Sequence, residues 1–199
     1  MSNFWKKVDQ VLINNIQHLN ANDNCYYAKD YVPGVGYQGS IVNDDILNFK
    51  KAPGSPGQQH RARAVNKFAV EVSTILNCDQ GRKFYVTAVP SSKNKLDLMY
   101  DRRFEDLFEE LKKFSPCIEV VWPVIAINSV QASHHSGSRD PDVLKQNYNY
   151  SGFAGIEPES LIVFDDVLTS GAHFRAYKDF IIESGYQGKV FGVFWAKTI

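Results

Sequence analysis

The sequence predicts an α/β fold, a mostly parallel twisted sheet flanked by helices, with a small N-terminal hood. Three observations carry that expectation. From residue 65 onward, stretches with apolar residues at helical spacing alternate with short apolar runs. The run "LIVF" at 161–164 is continuous rather than alternating, as in a strand buried on both faces. Strands separated by helices also need crossover connections, which set neighbouring strands parallel. At 199 residues the chain reads as one domain, with 1–55 as the hood segment and 56–199 as the α/β core.

The elements follow in order. Phe4, Val8, Val11, Leu12, Ile16 and Leu19 have helical spacing. "YVPGVGYQGS" (31–40) is turn-rich, "NDDILNFKK" (43–51) fits a short helix, and "APGSPGQQ" (52–59) is a loop. Val65, Phe68, Ala69, Val72, Ile75 and Leu76 form an amphipathic stripe, and Phe104, Leu107, Phe108 and Leu111 form a second. "KFYVTAVP" (83–90) is a strand stopped by Pro90, and "IEVVWPVIAI" (118–127) is a strand region interrupted by Pro123. Residues 173–184 are helical and end at Gly185, and "KVFGVFWA" (189–196) is the last strand. No repeat or low-complexity tract occurs.

Composition narrows the function classes. The hydrophobic share is 44% and the charged share 22%, ordinary for a soluble globular protein. Formal net charge is zero, so there is no strong nucleic-acid signal and no pull toward an anionic membrane. The N-terminus lacks the apolar block of a signal peptide, and no run approaches the ~18 apolar residues of a membrane span. Cys25, Cys78 and Cys117 are an odd, widely spaced set, which predicts free thiols in a reducing cytoplasm.

The most informative stretch is "LIVFDDVLTSGAHFR" (161–175), in which an apolar strand runs into two acids, then small residues, then a helix. Ligands of open α/β sheets sit beyond the carboxyl ends of the strands. A small-residue loop there leaves backbone N–H groups free to face an anion, and the helix start adds partial positive charge. Val167, Leu168, Thr169, Ser170, Gly171, Ala172 and His173 are therefore the candidate phosphate cradle, with hydroxyls from Thr169 and Ser170. Asp165 and Asp166 would repel a phosphate from within the cradle. Beside it, they suit sugar hydroxyls. A phosphate, a ribose diol and two acids together describe a 5-phosphoribosyl group.

"DDVLTSGA" resembles the signature loop of type I phosphoribosyltransferases, with His173 where that family often has Thr. "YQGSIVNDDILNFKK" and "VTAVPSSKNKLDLMYDRRF" are similar to the order of segments in ComF-like members, with Arg103 and Glu105 replacing a Gly and an Asn. "SGSRDPDVLKQNYNYSGF" echoes that group's loop through Arg139, Asn147 and Phe153. The echoes run from about residue 37 to 196, and the first thirty residues match no known pattern.

The resemblance implies a cytoplasmic transferase that takes phosphoribosyl pyrophosphate with Mg²⁺ and a base the sequence does not identify. Pyrophosphate at the anomeric carbon is exchanged for a nitrogen nucleophile. Asp165 and Asp166 are the expected catalytic acids, favouring an oxocarbenium-like transition state. Asp165→Asn and Asp166→Asn are each expected to lose most turnover while the protein stays folded. Mg²⁺ is expected near the two acids through substrate and waters, with no direct protein ligand. Ser91, Ser92 and Lys93, with Arg102 and Arg103, are the expected pyrophosphate contacts, and Arg139 belongs to an expected lid over 128–142. Tyr26, Tyr27, Tyr31, Tyr37 and Trp195 are aromatic candidates for stacking a base. A homodimer is an open option for assembly. The alternative is a non-catalytic module for phosphoribosyl ligands, or a ComF-like protein serving DNA uptake or processing.

Overall fold

The computed structural model describes residues 4–76, 78, 81–130, 140–155 and 157–199. Its centre is a six-stranded mixed sheet of order β1-β2-β8-β7-β3-β4, formed by β1 (Lys6–Lys7), β2 (Asn24–Tyr31), β3 (Phe84–Ala88), β4 (Ile118–Val120), β7 (Ser160–Leu168) and β8 (Lys189–Thr198). Only β1 runs antiparallel to its neighbour, and every other pairing is parallel. The remaining strands, β5 (Val124–Ala126) and β6 (Tyr148–Tyr150), form a separate antiparallel pair. No helix among the described residues is long and apolar enough to cross a membrane.

The expected helices form where apolar spacing and caps agree. In α2 (Ile41–Phe49), Ser40 Oγ accepts the Asn43 N–H at 3.0 Å. The long α3 (Gln58–Ser73) buries Ala64, Val65, Phe68, Ala69 and Val72. In α4 (Arg103–Phe114), Glu105 and Asp106 lie in the first turn and Lys112 and Lys113 in the last, matching the helix dipole at both ends. Two short helices, α1 (Gln10–Asn15) and α5 (Pro141–Lys145), precede α6 (Ala172–Glu183).

Two apolar clusters, one on each face, hold the sheet. One joins α2, α3 and α4 to Phe164, Val193 and Trp195. The other joins α1, α6, β5 and β6 to Leu161, Val163 and Phe194. Each fully buried Phe contributes about 1.5–3 kcal/mol. The crossover β3–α4–β4 moves outward on one side of β3, whereas β7–α6–β8 moves outward in the opposite direction. Right-handed crossovers running in opposite directions put their helices on opposite faces, which is where α4 and α6 pack.

Three expectations change. Residues 4–19 do not form one helix, because β1 precedes α1 and the chain turns after Asn15. The N-terminal third is not wholly outside the sheet, since β2 pairs in parallel with β8. Cys78 and Cys117 are joined as a disulfide, with Cα atoms 5.5 Å apart. The β3–β4 pairing brings the connection after α3 against the start of β4, where Phe84 N–H bonds the Cys117 carbonyl. An odd count excludes a full framework but not a single bridge. Only Cys25 is a free thiol, and burial pushes its pKa up to about 12.

Candidate functional site

The order of the strands sets the location. Between β3 and β7 the direction of winding reverses, so the chain leaves these two neighbours on opposite faces. Such a switch point opens a crevice beyond the carboxyl ends of the strands. Ala88 pairs with Phe164 as the last β3–β7 step, and Val89 N–H bonds the Phe164 carbonyl at 3.0 Å. Beyond that point β7 continues against β8 alone, with Asp165 opposite Phe194 and Leu168 opposite Lys197. Asp165 and Asp166 therefore stand immediately past the place where β3 turns away.

Neighbouring residues of a strand face opposite sides, and the two acids do so. Asp166 points toward α2 and α4, where Lys50 Nζ lies 2.9 Å from Oδ1 and Arg103 Nη1 2.7 Å from Oδ2. Burial alone would raise its pKa, but Lys50 and then Arg103 outweigh it and hold the carboxyl below the usual range. Arg103 also pairs with Asp101, and Asp101 with Arg61 at 2.9 Å. A cation in the first turn of a helix opposes the dipole, so Arg103 owes its place to these flanking acids.

Asp165 points toward α6. Its Oδ1 accepts the Asp166 N–H at 2.8 Å, and its Oδ2 lies 3.7 Å from His173 Nδ1, an ion-pair distance beyond hydrogen bonding. Burial disfavours charge on His173, but Asp165, with help from Asp166, outweighs it and raises the imidazole pKa. The His173 side chain is 44% exposed at the rim.

The turn itself is short. Val167 and Leu168 belong to β7, and Leu168 is buried in the α6-side core. The turn proper is Thr169, Ser170 and Gly171, with Gly171 at φ +76 before α6. No hydrogen bond among the described residues uses the backbone N–H of these three. Thr169 is exposed and Ser170 half-buried. The other side is backed by the N-terminal segment. His18 N–H bonds the Ser170 carbonyl at 2.9 Å, and a Cβ on Gly171 would meet Leu19 Cδ2 at 3.0 Å. Arg175 fixes this backing through the His18 carbonyl and the buried Asp23.

Across the crevice, Ser91, Ser92 and Lys93 follow β3 and are half-buried. Lys93 N–H bonds Ser91 Oγ at 3.2 Å. Arg103 is not open to the crevice as a spare donor, because Asp166 and Asp101 hold it. Arg102 lies on the α4 surface, paired with Glu109 at 3.0 Å. Arg139 lies outside the described residues, as do His134 and His135. Trp195 is fully buried, stacked on Phe68 at 4.6 Å, and serves the core. Lys50, Asp101 and Arg61 were missed from sequence. The one available signal was the basic pair ending "NFKK", directly after an amphipathic helix.

Among the described residues no group of three or more His, Cys, Asp or Glu is arranged to hold a metal. No protein-family model matches the sequence, and a search of curated proteins finds no match.

Proposed function

We propose that the crevice between β3 and β7 binds phosphoribosyl pyrophosphate, and that the chain is a type I phosphoribosyltransferase of the ComF-like kind. One observation carries this reading. Two acids and a turn with unused N–H groups leave the sheet together at its switch point, opposite a loop of hydroxyls and a lysine.

The 5′-phosphate takes the N–H groups of 169–171 and the hydroxyls of Thr169 and Ser170. Asp165 accepts hydrogen bonds from the ribose diol. Asp166, its oxygens already held by Lys50 and Arg103, fixes the rim. Pyrophosphate leaves toward Ser91, Ser92 and Lys93 as the anomeric carbon gains positive charge, which the Asp165 carboxylate favours. A nitrogenous base then bonds to that carbon and gives up its proton. Mg²⁺ suits this chain as a companion of the substrate. With Asp166 occupied, the residues fit a water-mediated role near Asp165, where the ion would neutralise the phosphates.

Phosphoribosyl pyrophosphate with Mg²⁺ at a hundred times its Kd should stabilise the fold by about 2.7 kcal/mol, a Tm rise of roughly 5–10 °C. No rise would remove the reading. Pyrophosphate release over a panel of bases then separates transfer from binding alone. A binding module without turnover is the second reading, and the double pairing of Asp166 favours it.

A further inference from the structure

A cleft of about 420 Å³ opens between the turn after β2, α2 and the start of α3, lined by Tyr37, Asp44, Asn48, Lys51, His60 and Arg63. Asp165, Asp166, the 169–171 turn and the 91–93 loop do not line it. Helical spacing gathers its groups. Asp44 and Asn48 are four residues apart on α2, and His60 and Arg63 three apart on α3, so each pair shares a face. Lys51 follows α2, and the buried Arg61 holds its carbonyl through Nη1 at 3.0 Å.

Two polar groups of the cleft are unspent. Asn48 is only 5% exposed, yet no hydrogen bond among the described residues uses its carboxamide. A buried amide without a partner is costly, and Asn48 borders the cleft, so that is where its amide can find one. Lys51 Nζ has no carboxylate partner among the described residues. It stands 5.0 Å from the centre of the Tyr37 ring, a contact that holds the ammonium and leaves its three N–H donors free. A Cβ on Gly57 would meet Lys51 Nζ at 3.0 Å and His60 Cδ2 at 3.3 Å, so the bare glycine lets both approach.

The balance of charge favours an anion. Asp44 is the one acid among the lining residues, and its pairing with Arg63 at 3.4 Å is solvent-exposed and weak. Donors reach the cleft from α2, from the residue after its cap and from α3. A carboxylate has two oxygens in one plane, whereas a phosphate group offers three strong acceptors, enough for Asn48, Lys51 and Arg63 together. The volume leaves room beyond the phosphate for a short carbon skeleton.

We propose that this cleft binds a small organic phosphate monoester, its oxygens shared by Asn48, Lys51 and Arg63. The site does not rest on the phosphoribosyl reading and stands if that reading fails.

Site-resolved NMR of the full nitrogen-labelled chain tests it, with glycerol 3-phosphate as the probe and glycerol as the uncharged control. The side-chain amide signals of Asn48 should move saturably, with a Kd near or below ~1 mM, and glycerol should leave them in place. Lys51→Gln and Arg63→Gln remove charge at solvent-accessible positions. Each should weaken binding about tenfold with unchanged Tm. Unmoved Asn48 amides overturn the proposal, as does parent-like affinity in either variant. Shifts confined to 169–171 would assign the phosphate to the β3–β7 crevice, which overturns this site while leaving the phosphoribosyl reading intact.

Discussion

The two faces of the sheet are built for different purposes. On the α2–α3–α4 face, charge is locked. Lys50, Asp166, Arg103, Asp101 and Arg61 form a continuous chain of ion pairs, and a disulfide ties the connection after α3 to the residue before β4. On the α6 face, Asp165 has only a half-exposed histidine 3.7 Å away as its ion-pair partner. Adjacent acids on one strand thus do different work. On the proposed reading, the first face holds the rim in place and the second leaves it open for a ligand.

The sharpest way to break this contrast is Asp166→Asn. Removing one partner from a buried ion pair typically costs about 3–5 kcal/mol, and here it removes the acid shared by Lys50 and Arg103 and leaves Arg103 with Asp101 alone. The sequence-based expectation was a folded but inactive protein. Burial of Asp166 instead predicts a large loss of stability, readable as a fall in Tm. Cys78→Ser comes next. The bridge spans 39 residues, and losing it should cost about 2–4 kcal/mol by denaturant unfolding under non-reducing conditions.

Asp165→Asn should behave in the opposite way, staying within about 1 kcal/mol of the parent, because its one ion-pair partner is half-exposed and 3.7 Å away. It should nevertheless lose most of the thermal shift given by phosphoribosyl pyrophosphate. The smallest effect belongs to His173→Gln, below about 1 kcal/mol. Its pH profile is diagnostic. A pKa raised above 6.5 on folding adds stability that is complete below pH 6.5 and lost as pH climbs through the folded value. Parent and variant should therefore differ most in acid and converge in alkali, and a constant gap would remove the Asp165–His173 pair from the account.

Much of the core was legible because its signals are local. "LIVF" became the first half of β7, and the stripes at 65–76 and 104–111 mark α3 and α4, since apolar spacing over about two to three turns leaves few alternatives. β2 was hidden because its interior carries Lys29, whose charge is matched by Asp45 and Glu71 from two helices. Pro123 read as a break within one strand, yet it separates β4 in the main sheet from β5 in another. At the site, the acids and the glycine turn could be read from adjacent letters. Arg103 and Asp166 lie 63 residues apart, so their pairing exists only once α4 and β7 are packed together. The backing of the turn by Leu19 was equally invisible, because it joins chain segments with no shared pattern.

The most direct test is a crystal structure grown with phosphoribosyl pyrophosphate and Mg²⁺. The account predicts the 5′-phosphate against the 169–171 amides, the ribose diol on Asp165, and Asp166 still gripped by Lys50 and Arg103. A phosphoribosyl group bound away from the β3–β7 crevice would contradict it. So would a diol held by Asp166 while Asp165 stays with His173.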